Sequence, residues 1–284
     1  MDQAINPAVL TLSCPDQVGV VECVSGLLAR NGHNIVESQQ FVDPETRRFF
    51  MRVESAGPVD VDRLRTAFAT APQAFELQWE LHAREERSKF IVMVSKFGHC
   101  LNDLLYRWSV GSLHGDIASV VSNHPDLSQL VQTYDIPFHH IPITVGDKAG
   151  AEAELMELVS RYDADLVVLA RYMQVLSDDL CQKMSGRIIN IHHSFLPSFK
   201  GAMPYHQAHR RGVKLIGATA HYVTPDLDEG PIIDQDVART DHRHTPDQMA
   251  AVGRDVESRT LARAVQWHLE HRVMRNANRT VIFG

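Results

Sequence analysis

Three short, almost unbroken apolar runs limit the folds open to this chain more than anything else in it. They are F-I-V-M-V-S at 90–95, I-A-S-V-V-S at 117–122 and D-L-V-V-L-A at 165–170. Strands buried on both faces read this way, whereas a half-solvated strand alternates. Helical patterns over 101–108, 127–134 and 149–162 fall between them. The order predicts a doubly wound, mostly parallel α/β domain, with its sites where strand carboxyl ends open onto loops. The first run leads into K-F-G-H-C-L-N-D, whose single glycine is a poor dinucleotide fingerprint. Farther on, 245–272 reads as a long helix with Thr245 and Pro246 as N-cap and first turn, and 279–283 as a last strand.

A different order precedes this domain. An alternating strand over 8–14 stops at Pro15, and Asp16 is the expected N-cap of an amphipathic helix over 18–30. In that helix Val20, Val24, Leu27 and Leu28 keep the helical period, and Asn31-Gly32 ends it. Strands over 34–42 and 48–55 joined by D-P-E-T, a helix over 61–70 and a strand over 75–82 follow. Together these make the β-α-β-β-α-β order of a ferredoxin-like domain. The run R-E-E-R-S-K at 84–89 holds no apolar residue. The expected division is a first domain over 1–84, a linker over 85–89 and a second domain over 90–284.

The chemistry concentrates after Arg187. Ile188, Ile189 and Ile191 make a strand bounded by Gly186 and Pro197, and on a strand Asn190 and His192 share one face. A second strand over 217–224 puts His221 near its end, and the turn P-D-L-D-E-G-P delivers Asp228. An amide, imidazoles and a carboxylate at strand ends can run acyl transfer. Attack on an acyl carbon makes an oxyanion, and one fixed donor to it is worth ~3–4 kcal/mol of barrier. Asn190 and His192 can supply such donors; the plainer alternatives are an amide bonding loop backbone and a histidine satisfied by a carbonyl. Asp228 is the candidate base and proton relay, provided that burial tunes it toward the working pH. Asp226 and Glu229 read as turn-forming or solvated. His221 either orients Asp228, contacts substrate or packs.

Competing chemistries lack their signatures. The 16 histidines include His192-His193, His206-x-x-His209 and His242-x-His244, but no H-E-x-x-H and no zinc spacing, so no metal is expected. Ser194 lies beside the site without a G-x-S-x-G elbow. A net charge of −7 argues against a nucleic-acid or acidic-membrane partner. The four scattered cysteines (Cys14, Cys23, Cys100, Cys181) read as buried thiols of a reducing compartment. With no basic leader and no apolar window near the ~20 residues of a membrane span, a cytoplasmic protein is expected.

The motif N-I-H-x-S-x-L-P-x-x-x-G at 190–201, followed by L-D-x-G-P at 227–231, resembles the folate-dependent formyltransferase family. The stretch D-L-V-V-L-A-R-Y-M-Q-V-L-S at 165–177 is similar to that family's pterin-pocket loop, so the likeness covers nearly all of 90–284. It implies a catalytic trio of Asn190, His192 and Asp228. It also implies folate contacts from Met93, from Arg171, Tyr172, Met173, Gln174, Val175 and Leu176, and from the turn Thr224 to Leu227, with His221 at hand. Two departures stand out. His99 and Cys100 occupy the loop that cradles a ribonucleotide phosphate in amine-formylating members, and His193 replaces the proline usual after the histidine.

Residues 11–37 resemble the ACT family of small-molecule-sensing modules. That likeness implies a homo-oligomer, dimer or tetramer, and an amino-acid effector near Asp16, Gly19 and Asn34; purely structural roles for the three remain open. In family members where such a module precedes the formyltransferase-type domain, water takes the place of the amine. The resemblance thus implies hydrolysis of 10-formyltetrahydrofolate to formate and tetrahydrofolate. Such a reaction supplies formate for purine synthesis and balances one-carbon folate pools, with no cofactor beyond the folate substrate. Formyl transfer to an amine such as glycinamide ribonucleotide, or a non-catalytic folate- or amino-acid-binding regulator, are the alternatives.

Overall fold

The computed structural model describes residues 5–144, 147–196 and 204–284. The motif positions Pro197 and Gly201 lie outside the described residues. The chain divides into two compact units, one of Met1–Arg87, His271–Met274 and Val281–Gly284, the other of Ser88–Glu270 and Arg275–Thr280.

The first unit runs β1 (Asn6–Pro15), α1 (Val20–Arg30), β2 (Asn34–Asp43), β3 (Arg48–Gly57), α2 (Val61–Phe68) and β4 (Gln78–Ala83). Its sheet order is β2-β3-β1-β4, with β1 antiparallel to β3 and β4, and β2 antiparallel to β3. Leu10 and Leu12 of β1, Val24 and Leu28 of α1, Met51 and Val53 of β3 and Leu64 and Phe68 of α2 form its core. Helix α1 is not capped by Asp16, whose N–H instead donates to Arg47 O at 2.9 Å. The N-cap is Gly19, at φ +98°, a left-handed geometry that glycine takes without a Cβ penalty. The helix accordingly starts at Val20, and Val18 is fully exposed. Strand β4 starts at Gln78 rather than at 75, because Gln73–Phe75 forms a 3-10 turn and Glu76 follows at φ +49°.

The second unit runs β5 (Ser88–Val94), α3 (His99–Ser109), β6 (Gly115–Ser122), α4 (Ser128–Gln132), β7 (Phe138–His140), α5 (Lys148–Tyr162), β8 (Leu166–Leu169) and α6 (Asp178–Lys183). It continues with β9 (Ile188–His192), α7 (Pro204–Arg211), β10 (Leu215–Tyr222), β11 (Ile232–Arg239) and α8 (Pro246–Leu269). A final hairpin, β12 (Val273–Asn276) and β13 (Arg279–Ile282), ends the chain. The seven-stranded sheet has the order β11-β10-β9-β8-β5-β6-β7. Strands β9, β8, β5, β6 and β7 are parallel neighbours, and the apolar runs supply its buried middle. Strand β10 is antiparallel to both β9 and β11. Strand β11 went unassigned from sequence because I-I-D-Q-D-V-A-R is an edge strand, half exposed and charged. Ser88 and Lys89 already pair with Gly115 and Asp116, so the charged run is linker only as far as Arg87. Helix α8 opens with a capping box between Thr245 and Gln248 and closes at Leu269 rather than at 272, with His271 at φ +53°. No helix among the described residues is long and apolar enough to cross a membrane.

Candidate active site

Strand register brings the polar trio together. Asn190 lies opposite Leu169 on β8 and opposite His221 on β10, two residues before His192. Asn190 Nδ2 is 3.2 Å from His221 Nε2, and His221 Nδ1 is 2.9 Å from the carbonyl of Tyr222. A neutral ring donating from Nδ1 to that carbonyl offers its Nε2 lone pair to one amide N–H. The second amide N–H is left for a ligand. His221 is 2% exposed, so its place is set by the sheet.

Asp228 reaches the same point from the turn after β10. It sits at φ +58°, two residues ahead of Gly230, where an added Cβ would lie 1.8 Å from the Tyr222 carbonyl oxygen. Only glycine permits that approach, which lets Pro231 O accept the Tyr222 N–H at 2.9 Å. Asp228 Oδ1 is 3.3 Å from His192 Nδ1 and 3.7 Å from His221 Nε2. The imidazoles of His192 and then His221 beside it hold the carboxyl well below the usual carboxylate range, outweighing its partial burial. The expected tuning toward the working pH is therefore reversed: this carboxylate stays ionised. His192 Nε2 is buried with no hydrogen-bond partner among the described residues, leaving one ring nitrogen for a substrate. Asp226 and Glu229 are exposed, as the turn reading expects.

A cavity of about 230 Å³ opens beside the trio. Arg171, Tyr172, Met173, Gln174, Val175, Leu176, His221, Thr224 and Leu227 all line it, together with Asn190, His192 and Asp228. Met93 does not; it is buried in β5 and lines a small adjoining hollow with Tyr172, Gln174, Val175 and Leu176. The 171–176 loop is pinned from below: Arg171, at φ +65°, accepts the Ser95 N–H at 3.3 Å, and Ser95 Oγ accepts the Met173 N–H at 3.0 Å. Ser177 closes the loop against Glu152 through its N–H and hydroxyl. Met173, Val175 and Leu227 are 52%, 57% and 61% exposed, an apolar rim suited to a flat ring system.

Sequence reasoning missed part of the lining, including Leu169, Cys181 and Val223. It singled out His193 only as a departure. That ring also lines the cavity, 5.0 Å from His192 between centroids, and burial, then the fields of Arg171 and His192, push its pKa down to about 4. A buried network on α8 was missed as well: Glu257 meets His99, Tyr205 and Arg171. His99, Cys100 and Glu257 lie within metal-ligand distance of one another, but burial and then Glu257 push the Cys100 thiol far up and the Glu257 oxygens already hold donors. All four cysteines are free and buried. Of the effector candidates, Asp16 and Gly19 lie in the β1–α1 turn, and Asn34, exposed, opens β2.

Known proteins resemble this chain over nearly its whole length. Residues 88–265 match the formyl transferase family. A formyltetrahydrofolate deformylase of Corynebacterium sp. (strain P-1) is 52% identical over 277 residues, covering 96% of this chain and 97% of that one. The crystal structure of formyltetrahydrofolate deformylase from Burkholderia mallei superposes with a TM-score of 0.95 at 52% identity, covering 98% of this chain and all of that one. Glycinamide ribonucleotide transformylase 1 from Symbiobacterium toebii gives a TM-score of 0.66 at 28% identity and covers 70% of this chain and 95% of that one.

Proposed function

The chain belongs to the formyl transferase family, and on that premise we infer that it hydrolyses 10-formyltetrahydrofolate to formate and tetrahydrofolate. It is a hydrolase acting on a linear amide C–N bond. Full-length likeness supports this reading over amine transfer and over a non-catalytic regulator. The observation that carries the chemistry is the meeting of Asn190, His192 and Asp228 at the mouth of an apolar-rimmed cavity.

In the reaction we assign to these residues, the pterin occupies the 171–176 loop and the formyl group lies against the trio. Water attacks the formyl carbon while Asp228 orients it and takes its proton. The second N–H of Asn190 and the Nε2–H of a protonated His192 donate to the oxyanion, a preorganised stabilisation of the developing charge. Collapse breaks the bond from carbon to N10, which receives the proton from Asp228. A carboxyl held this far down is a weak base but a ready donor, so the barrier is lowered chiefly at the oxyanion. The nucleophile is water, and the reading requires no cofactor. Asp228→Asn or His192→Ala with undiminished formate release would overturn the assignment.

Three further points belong to this reading. Four buried free thiols support a cytoplasmic setting. The ten-residue edge strand β2, with Val36, Phe41 and Val42 exposed, supports a homo-oligomer, and a monomer by light scattering at micromolar concentration would oppose it. An amino-acid effector near Asp16, Gly19 and Asn34 predicts a formate-release rate that responds to added amino acids and no longer does so in Asp16→Ala.

A further inference from the structure

Behind Arg171 and His193, which line the cavity, stands a second carboxylate for which the hydrolysis above has no use. Glu257 of α8 is 2% exposed, and each of its oxygens takes a hydrogen bond. Oε2 is 2.8 Å from His99 Nε2 and 3.4 Å from Arg171 Nε, and Oε1 accepts the Tyr205 hydroxyl at 2.8 Å. The network ties together the start of α3, the loop after β8, α7 and α8. Tyr205 is seated by Gly253, one turn before Glu257, where an added Cβ would lie 1.9 Å from the phenol oxygen. The Arg171 guanidinium is held from a second side by the Phe97 ring, 5.8 Å from its centroid. The fields of Glu257 and Asp228 both reach His193, so the network and the trio flank the same ring.

An apolar wall can shift aside for an incoming group. A wall of charge-assisted hydrogen bonds around a buried carboxylate cannot, because any displaced partner leaves an uncompensated buried charge. We propose that the network of Glu257, His99, Tyr205 and Arg171 determines acceptor specificity, closing this wall of the formyl site to amines so that only water reaches the formyl carbon. The inference rests on the hydrolase reading and adds to it the residues that make water the acceptor.

The test is product partition. The full-length protein turns over 10-formyltetrahydrofolate in the presence of hydroxylamine, and formate and formohydroxamate are counted after subtraction of a no-enzyme control. Attack by water or by the amine nitrogen forms the new bond to the formyl carbon, breaks its bond to N10 and leaves the proton there, so each tetrahydrofolate released matches one formylated product. Wild type is expected to give almost only formate. His99→Ser, which removes the ring, should raise the hydroxamate-to-formate ratio about tenfold or more. His99→Asn, which keeps an N–H donor but gives up the ring, carries the same expectation should the serine variant not fold. Tyr205→Phe, which removes the hydroxyl bonded to Glu257 Oε1, should raise the ratio too, by less than the His99 variants. A merely structural role would lower turnover without moving the ratio, and an unchanged ratio in a folded His99 variant overturns the proposal. A wild type that released no formate would instead sink the hydrolase reading on which it rests.

Discussion

Replacing Asp228 by asparagine keeps the shape of the turn and removes the one anion facing two imidazoles. Its Oδ1 lies 3.3 Å from His192 Nδ1, with the side chain 19% exposed. At an effective dielectric near 20, a unit pair at that distance is worth ~5 kcal/mol, an upper figure for a site open to a cavity. Partial exposure and the hydrogen bond that asparagine can still make bring the loss to roughly 3 kcal/mol. At about 1.4 kcal/mol per tenfold, that is a ~100-fold drop in kcat. KM should scarcely move, because the residues assigned to the pterin lie on the 171–176 loop. The assay is tetrahydrofolate formation by absorbance, with formate measured independently over a range of folate concentrations. A variant that kept kcat within a few-fold of wild type, or that lost activity through KM alone, would refute the reasoning.

Asn190→Ala removes one oxyanion donor and should cost roughly 100- to 1,000-fold in kcat, with binding of a non-formylated folate by fluorescence titration unchanged. Gly230→Ala, whose Cβ would meet the Tyr222 carbonyl oxygen at 1.8 Å, should shift the turn that carries Asp228. Its kcat loss should exceed what its fall in melting temperature explains, and a fully active variant would contradict the packing argument. Glu257→Ala leaves Arg171 and His99 without their buried partner and should cost ~3–5 kcal/mol, read as a lower denaturant midpoint. Because Asp228 is depressed in the folded chain, its contribution to stability is complete above the ordinary carboxylate value of ~3.9 and fades as pH falls through the lower folded value. The melting-temperature gap between wild type and Asp228→Asn should therefore narrow below about pH 4, and a gap that widened there would have the sign wrong.

What could be read from sequence was whatever repeats on a fixed period or follows from strand geometry. The apolar runs at 90–95, 117–122 and 165–170 became β5, β6 and β8, and the alternation of Asn190 and His192 along β9 put both on the cavity. Thr245 and Pro246 announced the start of α8 as N-cap and first turn. What stayed illegible depends on long-range partners. Strand β11 carries too much charge to look like a strand, yet it is held by pairing with β10. The downward shift of Asp228 needs His192 and His221 within reach at once, and nothing in the turn P-D-L-D-E-G-P states that. Glu257 reads as one more polar residue in a long helix until folding brings it to His99, which precedes it by 158 positions. Met93 shows the limit of a motif match: the sequence pairs it with the 171–176 loop, and its side chain lies under that loop rather than in the main cavity.

The central claim is that water is the group added to the formyl carbon, and isotope transfer tests it most directly. In H₂¹⁸O with 10-formyltetrahydrofolate and no amine present, each turnover should release one tetrahydrofolate and one formate bearing a single ¹⁸O from solvent. Tetrahydrofolate that formed only when an amine acceptor was added, with no labelled formate, would contradict it.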